Sequence, residues 1–263
     1  MESFINQLAF GWFPYLAVTV LIVGSIFRFD KAQYTWRSQS SQFLRRRQML
    51  IGSNLFHMGV LVLLGGHFVG LLTPINVFDA LGVQHGFKQM AALVVGGIAG
   101  ILAWVGASLL LHRRLFDSRI RRSSHWTDIA VLVLLWLQLT LGLATTWWTM
   151  KHLDGEEMLL FMGWANGLLT FNPQAADLIV DAALVYKLHI ILGLTLFLVT
   201  PFSRLVHIWS IPLFFLLRPG YQIVRTRGPV RRPQPASLSH GPAGAAPTYG
   251  GPAPQRAAAE EFQ

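Results

Sequence analysis

From the N-terminus to about residue 209 the chain alternates long apolar runs with short polar connections. Five runs, over roughly 4–27, 50–72, 90–111, 128–148 and 183–209, are long enough to cross a hydrocarbon core of about 30 Å as α-helices. They are too long and continuous for the strands of an outer-membrane barrel, which show as alternating segments of about ten residues. The first run lacks the basic leader and short apolar core of a cleavable signal peptide and continues through Tyr15–Phe27, so it is expected to stay as a span. The fold class that follows is all-α integral membrane, a bundle of five transmembrane helices.

Two connections carry patterns of their own. The amphipathic stretch Glu157–Leu169, inside the 149–182 connection, is expected to form an interfacial helix. In the third run Gly96 and Gly100 have a G-x-x-x-G spacing, which predicts close packing against a neighbouring helix. Residues 1–227 are expected to make up the transmembrane domain. The composition then shifts to Pro, Ala and Gly, and 228–263 is expected to be a disordered cytoplasmic tail, because it holds too little apolar surface to order itself.

Composition agrees with a membrane chain and excludes some chemistry. Apolar residues make up 53% and charged residues 13%, about half the charged fraction usual in a soluble domain. There is no cysteine, so any metal must be held by nitrogen or oxygen. A net charge of +9 would suggest nucleic-acid binding in a soluble protein, but here the charges are sorted by side. Of the 21 Lys and Arg residues, all but Lys88, Lys151 and Lys187 fall in the connections after spans one and three or from Arg204 onward. The basic side is expected to be cytoplasmic, with the N-terminus outside, the C-terminus inside and no nucleic-acid partner. The 149–182 connection, with Asp154, Glu156, Glu157, Asp177 and Asp181, then lies outside.

Four of the nine histidines lie within apolar runs, where an ionisable group is costly and marks a functional position. His57 and His67 on the second span are ten residues apart, about 15 Å along a helix. His189 and His207 on the fifth are eighteen residues apart, five whole turns and about 27 Å on an ideal helix. The two spans run in opposite directions, so His57 and His207 lie near the basic side, and His67 and His189 nearer the other. Two neutral imidazoles facing each other across a gap between helices are what a six-coordinate haem iron needs. Two such sites, stacked, would carry electrons across the bilayer. Gly59, Gly65, Gly66, Gly70 and Gly193 are expected to leave room for the flat macrocycles. Tilt and a kink at Pro201 are expected to absorb the mismatch between 15 and 27 Å.

Other charges fit this picture. Arg204, one turn before His207, could pair with a haem propionate, as could Arg45–Arg47 or Arg113–Arg114; snorkelling to lipid phosphates is the alternative for the loop arginines. Lys88 stands alone at the start of the third span, where it could hydrogen-bond a quinol oxygen or serve as an interfacial anchor.

Several long stretches resemble the cytochrome b (gamma) subunit of membrane-bound respiratory nitrate reductase. They are PYLAVTVLIVGSIFRFDKAQYTWRSQSS, SNLFHMGVLVLLGGHFVGLLTP, LLLHRRLFDSRIR, the HLDGEEM loop with GWANGLLTF after it, and LHIILGLTLFLVTPFSRLVHIWSIP, within roughly residues 1–227. The resemblance implies two b-type haems, with His57 and His207 on the haem near the cytoplasmic partners and His67 and His189 on the distal one. It further implies oxidation of membrane quinol near the distal haem, release of protons outside, and electron transfer to an iron–sulfur subunit and then to a molybdenum-cofactor subunit that reduces nitrate to nitrite. The location implied is a bacterial or archaeal-type cytoplasmic (inner) membrane. Lys88 falls in GFKQM, which matches the family's quinol-site lysine segment across a one-residue gap, and Gly66 falls in the matching quinol-site region.

Two other classes compete with this reading. One is a related quinone-linked cytochrome b serving another cytoplasmic reductase. The other is a haem-free transporter or proton channel with a histidine relay, against which stand the two cross-helix pairs and the lack of a visible inverted repeat. A purely structural anchor would have no use for buried histidine pairs. Haem content separates the transporter and the anchor from the main reading, and activity of the purified complex separates the related cytochrome b.

Overall fold

A computed structural model describes residues 2–35, 44–151 and 155–210. The 228–263 tail, His152, Asp154, His240, Arg37 and the arginines beyond Arg204 lie outside the described residues. Among the described residues every regular element is helical. Five helices are long and apolar enough to cross a membrane: Ser3–Lys31, Arg46–Leu72, Gly86–Phe116, Trp126–Thr149 and Leu184–Phe202. The chain is thus a multi-pass helical membrane protein.

In chain order the α-helices are α1 (Glu2–Asn6), α2 (Phe13–Lys31), α3 (Arg46–Leu72), α4 (Ile75–Ala80), α5 (His85–Phe116), α6 (Ser118–Ser123), α7 (Trp126–Thr149), α8 (Glu156–Leu169) and α9 (Leu184–Val199). A π-helical stretch, Gln7–Trp12, joins α1 to α2. Most spans run a few residues past their apolar cores, because Arg and Lys continue a helix well and reach the interface with long stems. Pro74 ends α3 by holding Thr73 extended. Asp117 caps α6, its carboxylate accepting from the backbone N–H groups of Arg119 (3.0 Å) and Ile120 (3.2 Å). Those N–H groups, with Arg45 at 2.9 Å, hold the Asp117 carboxyl below its usual range.

The fifth span corrects an expectation. It is not one helix over 183–209: α9 stops at Val199, and Thr200–Phe202 and Arg204–Ser210 are 3-10 segments joined through an extended Ser203. Pro201 has no N–H to continue the ladder, and its ring clashes with the carbonyl one turn back. The carbonyls orphaned by this break are met from another helix. Arg28 on α2 donates to Pro201 O and Ser203 O, both at 2.7 Å. His189 and His207 therefore do not share one helical face, and the 27 Å rise no longer applies.

Neighbouring spans pack in the order α3, α5, α7, α9, α2. The tightest seam joins α3 to α5. A Cβ added at Gly59 would stand 2.7 Å from Ala103 N and closer still to Ala99 O. One at Gly106 would stand 2.7 Å from Gly52 O. Gly59 is thus a helix-packing residue and not room for a macrocycle, whereas Gly65, Gly66 and Gly70 face open space. Gly100 packs on Leu143 as its spacing predicts, but Gly96 faces open space.

α8 closes the end of the bundle away from the arginines. Its Trp164 and Ala165 bury against Phe10, Ala175, Ala176 and Ile179. Trp164 Nε1 donates to Phe10 O at 2.9 Å, and Asn166 Nδ2 to Leu71 O at 3.0 Å. The 157–169 stretch is helical, as its pattern predicts.

Candidate functional site

The four intramembrane histidines meet in two pairs. His57 of α3 faces His207 of the 3-10 segment, with ring centroids 6.3 Å apart and planes at 64°. His67 of α3 faces His189 of α9, with centroids 6.1 Å apart and planes at 37°. α3 and α9 form no packed helix–helix interface, so the His67–His189 pair links two helices that do not pack on each other, while His57 reaches the 3-10 segment beyond α9.

Three of the rings are fixed by backbone carbonyls. Nδ1 lies 2.7 Å from Ser53 O in His57, 2.8 Å from Leu63 O in His67 and 2.6 Å from Arg204 O in His207. A carbonyl oxygen can only accept, so Nδ1 carries the proton and donates, which leaves the Nε2 lone pair available. His207 keeps this contact because Arg204–Ser210 is still helical after the break, with the accepting carbonyl three residues back. His189 has a different partner: the Gln138 amide of α7 lies 3.2 Å from Nδ1 and 3.3 Å from Nε2. Gly142, on the next turn of α7, leaves room for this ring, since a Cβ there would sit 3.1 Å from Cε1. Gly193, expected to make space for a macrocycle, instead makes space for the Gln138 amide at 3.1 Å.

No group of three or more His, Cys, Asp or Glu side chains is placed to hold a metal ion among the described residues. Two imidazoles alone do not make a zinc-type site. They suit an iron that brings its equatorial ligands with it.

Near His207 the charges are organised by an acid the sequence reading passed over. Arg204 Nε and Nη2 donate to Asp128 at 2.8 and 2.6 Å, a bidentate pair with both side chains mostly buried. Arg114 lies 3.7 Å from the same carboxylate, and its buried Nη1 makes no hydrogen bond among the described residues. Two cations thus share one anion one turn from a histidine. The loop arginines do not behave alike. Arg113 is buried and donates to Leu44 O at 2.7 Å, and Arg45 pairs with Asp117.

At the other end, Lys88 Nζ lies over the Phe78 ring at 3.5 Å and donates to Gly70 O at 3.3 Å, with Met162 Sδ at 2.8 Å. Gly70 is three residues beyond His67, and the His67 ring leans back toward Leu63, so the ammonium lies further along α3 than that ring, on its C-terminal side. Gly66, beside His67, is exposed on the open face of α3. Close by in sequence to His189, Tyr186 O–H donates to Glu157 Oε2 at 2.5 Å and meets Thr149 Oγ1 at 2.6 Å. Of the remaining histidines, His112 stacks on Phe116 at 4.8 Å and His125 precedes α7, neither near the pairs in sequence.

Sequence reasoning missed Asp128 and Gln138. The signal for Gln138 was the one used for the histidines, a polar side chain in the middle of an apolar span. The signal for Asp128 was a lone acid opening a span on the arginine-rich side.

Comparison with known proteins bears directly on these pairs. Residues 6–227 match the family model described as nitrate reductase gamma subunit. The respiratory nitrate reductase 1 gamma chain of Escherichia coli is 45% identical over 226 residues, covering 86% of this chain and 99% of the relative. The respiratory nitrate reductase 2 gamma chain of the same organism is 42% identical over 86% of this chain and 100% of its own length. The nitrate reductase gamma chain of Bacillus subtilis is 36% identical over 84% of this chain and 99% of its own. The match spans all five membrane helices and all four histidines, and the chain belongs to the nitrate reductase gamma subunit family, the membrane cytochrome b anchor of a multi-subunit oxidoreductase.

Proposed function

We propose that this chain is a dihaem, quinol-oxidising membrane subunit of a respiratory nitrate reductase. One observation carries the reading: both histidine pairs have the separation that two axial imidazoles on one iron require. A metal–imidazole bond of about 2.0 Å, with the roughly 1.2 Å from ring nitrogen to ring centre, would put two facing centroids about 6.4 Å apart. The pairs stand at 6.3 and 6.1 Å.

The residues fit the group in other respects. Protonated Nδ1 atoms on His57, His67 and His207 orient the rings and leave Nε2 to bind iron. Gly65, Gly66 and Gly70 keep the α3 face free of side chains. Arg114 and Arg204, with one carboxylate between them, hold an excess of positive charge that suits a propionate of the haem on His57 and His207. Arg204 would act with Asp128 and not as a lone cation. Haem b would supply one-electron transfer when bound, and His57 with His207 and His67 with His189 would hold one each between the quinol side and the partner subunits.

Lys88 binds quinol in this scheme. Its ammonium, at the Gly70 carbonyl beyond His67 on α3, donates a hydrogen bond to a quinol oxygen and stabilises negative charge as the hydroxyl proton leaves. Gly66 lets the ring approach α3. The lopsided Lys/Arg distribution supports an N-terminus outside and a C-terminus inside a bacterial or archaeal-type cytoplasmic membrane. Protons are then released outside. Electrons leave inward to an iron–sulfur subunit and a molybdenum-cofactor subunit that reduces nitrate to nitrite.

The test is a reduced-minus-oxidised spectrum with a pyridine haemochrome count on the purified complex, for wild type, His67→Ala and His207→Ala. Two b-type haems in wild type, with one lost in each variant, are expected. A folded wild-type protein without haem would overturn the reading and return the histidines to the proton-relay class.

A further inference from the structure

Gln138 is the most isolated polar side chain of α7, set among leucines in the middle of the span. Its Nε2 lies within reach of both nitrogens of His189, and its Oε1 is buried without a hydrogen-bond partner among the described residues. A buried amide oxygen left unsatisfied is costly, and more so in a membrane interior. Two glycines on two helices clear the space. A Cβ on Gly142 would press on the His189 ring, and one on Gly193 would press on the Gln138 amide, each at 3.1 Å. Ring and amide are therefore held edge to edge by a backbone cradle.

The other three histidines show what the missing partnership is. Each has Nδ1 on a carbonyl oxygen, which can only accept. If His189 binds iron through Nε2, its Nδ1 carries the proton and needs an acceptor too. An NH₂ group cannot be that acceptor, but the amide oxygen can. A half-turn about the terminal torsion of Gln138 exchanges its two polar atoms and brings Oε1 to Nδ1. That one rotation satisfies the orphaned oxygen and completes the fourth ring.

We propose that Gln138 is the positioning residue for His189: its side-chain oxygen accepts the Nδ1 proton and fixes the ring's tautomer and the electron density at Nε2. A backbone carbonyl does this for the other three rings. The assignment rests on His189 being a haem ligand. His57 also has the Ser53 hydroxyl at 3.2 Å beside its carbonyl, but at His189 alone is the Nδ1 partner solely a side chain among the described residues, so it is the one that substitution can tune. An acceptor on Nδ1–H makes the imidazole a stronger donor to iron, which favours the ferric state and lowers the reduction potential.

The test uses the intact complex in membranes, with redox titration of the haem absorbance, electron paramagnetic resonance of the ferric low-spin signals and a haem count, for Gln138→Leu and Gln138→Glu. In Gln138→Leu the haem on His67 and His189 is expected to move to higher potential with a changed low-spin signal. In Gln138→Glu, a stronger acceptor of the same length, it is expected to move to lower potential. The haem on His57 and His207 should move in neither. Loss of the first haem in Gln138→Leu, with retention at lowered potential in Gln138→Glu, also supports the assignment. Unchanged potential and signal in both variants, or shifts in the same direction in both, would overturn it. A His189→Ala complex that keeps both haems would instead overturn the ligand assignment beneath it.

Discussion

Replacing Gly59 by Ala puts the α3–α5 seam under a load that can be worked out. The added Cβ would stand 2.7 Å from Ala103 N and 2.8 Å from Ala103 Cβ, where ordinary contact begins at 3.4 Å. The helices must part by more than about 0.7 Å, since the Ala99 carbonyl oxygen stands closer still, or bend, and none of these obstacles is a flexible side-chain end. Overpacking typically costs about 1–3 kcal/mol, and a backbone obstacle belongs at the upper end. Alanine returns about 0.5–1 kcal/mol by favouring helix over glycine. The net expectation is a loss of about 2 kcal/mol. Gly96→Ala on α5, with nothing within 4 Å of its Cβ, has the helix-propensity gain without the clash. The assay is unfolding in mixed micelles of mild detergent and dodecyl sulfate, followed by helicity and by the fluorescence of tryptophans such as Trp104 and Trp136, which adjoin the seam. Equal stability of Gly59→Ala and Gly96→Ala would refute the argument that close backbone approach holds these two spans together.

Four more outcomes are expected. Asp128→Asn leaves Arg204 and Arg114 facing each other uncompensated, and should cost about 3 kcal/mol in the same titration, the low end of the range for a broken buried pair because these side chains keep some exposure. Gly142→Ala pushes on His189 Cε1 and should lower occupancy of the His67–His189 haem but not the other, read by haemochrome count and paramagnetic resonance. Lys88→Met should slow reduction of the haems by quinol while leaving haem content intact, and an unchanged rate would remove Lys88 from the quinol site. Asp117 has a lowered carboxyl pKa in the folded chain, so its stabilising effect is complete above the ordinary value of 3.8 and is lost as pH falls through the lower folded value. Asp117→Ala should therefore melt below wild type at neutral pH, with the two curves converging in acid.

Much of the architecture was legible because membrane spans and buried histidines are written as composition. Five apolar runs became five helices, and antiparallel logic paired His57 with His207 and His67 with His189, as the ring contacts have it. The pairing survived although part of its argument did not. Counting five whole turns from His189 to His207 presumed a helix that Pro201 ends, and the 3-10 segment delivers His207 by another route. Glycines were misread for a related reason. Sequence shows that Gly59 and Gly193 lack side chains but not what occupies the vacated space, which is the α5 backbone in one case and the Gln138 amide in the other. Arg204 was placed correctly beside His207, yet its partner Asp128 comes from 76 residues away and no local pattern announces it.

The Arg28 contact with the carbonyls of Pro201 and Ser203 ties together elements far apart in the chain. Arg28 belongs to the first of the five described spans, and the segment it steadies belongs to the fifth and its continuation. Until that later segment has entered the membrane, His57 and His67 lack their facing rings, and no truncated chain ending before α9 holds either pair. If the pairs hold haem as proposed, neither site is complete until the fifth span is in place.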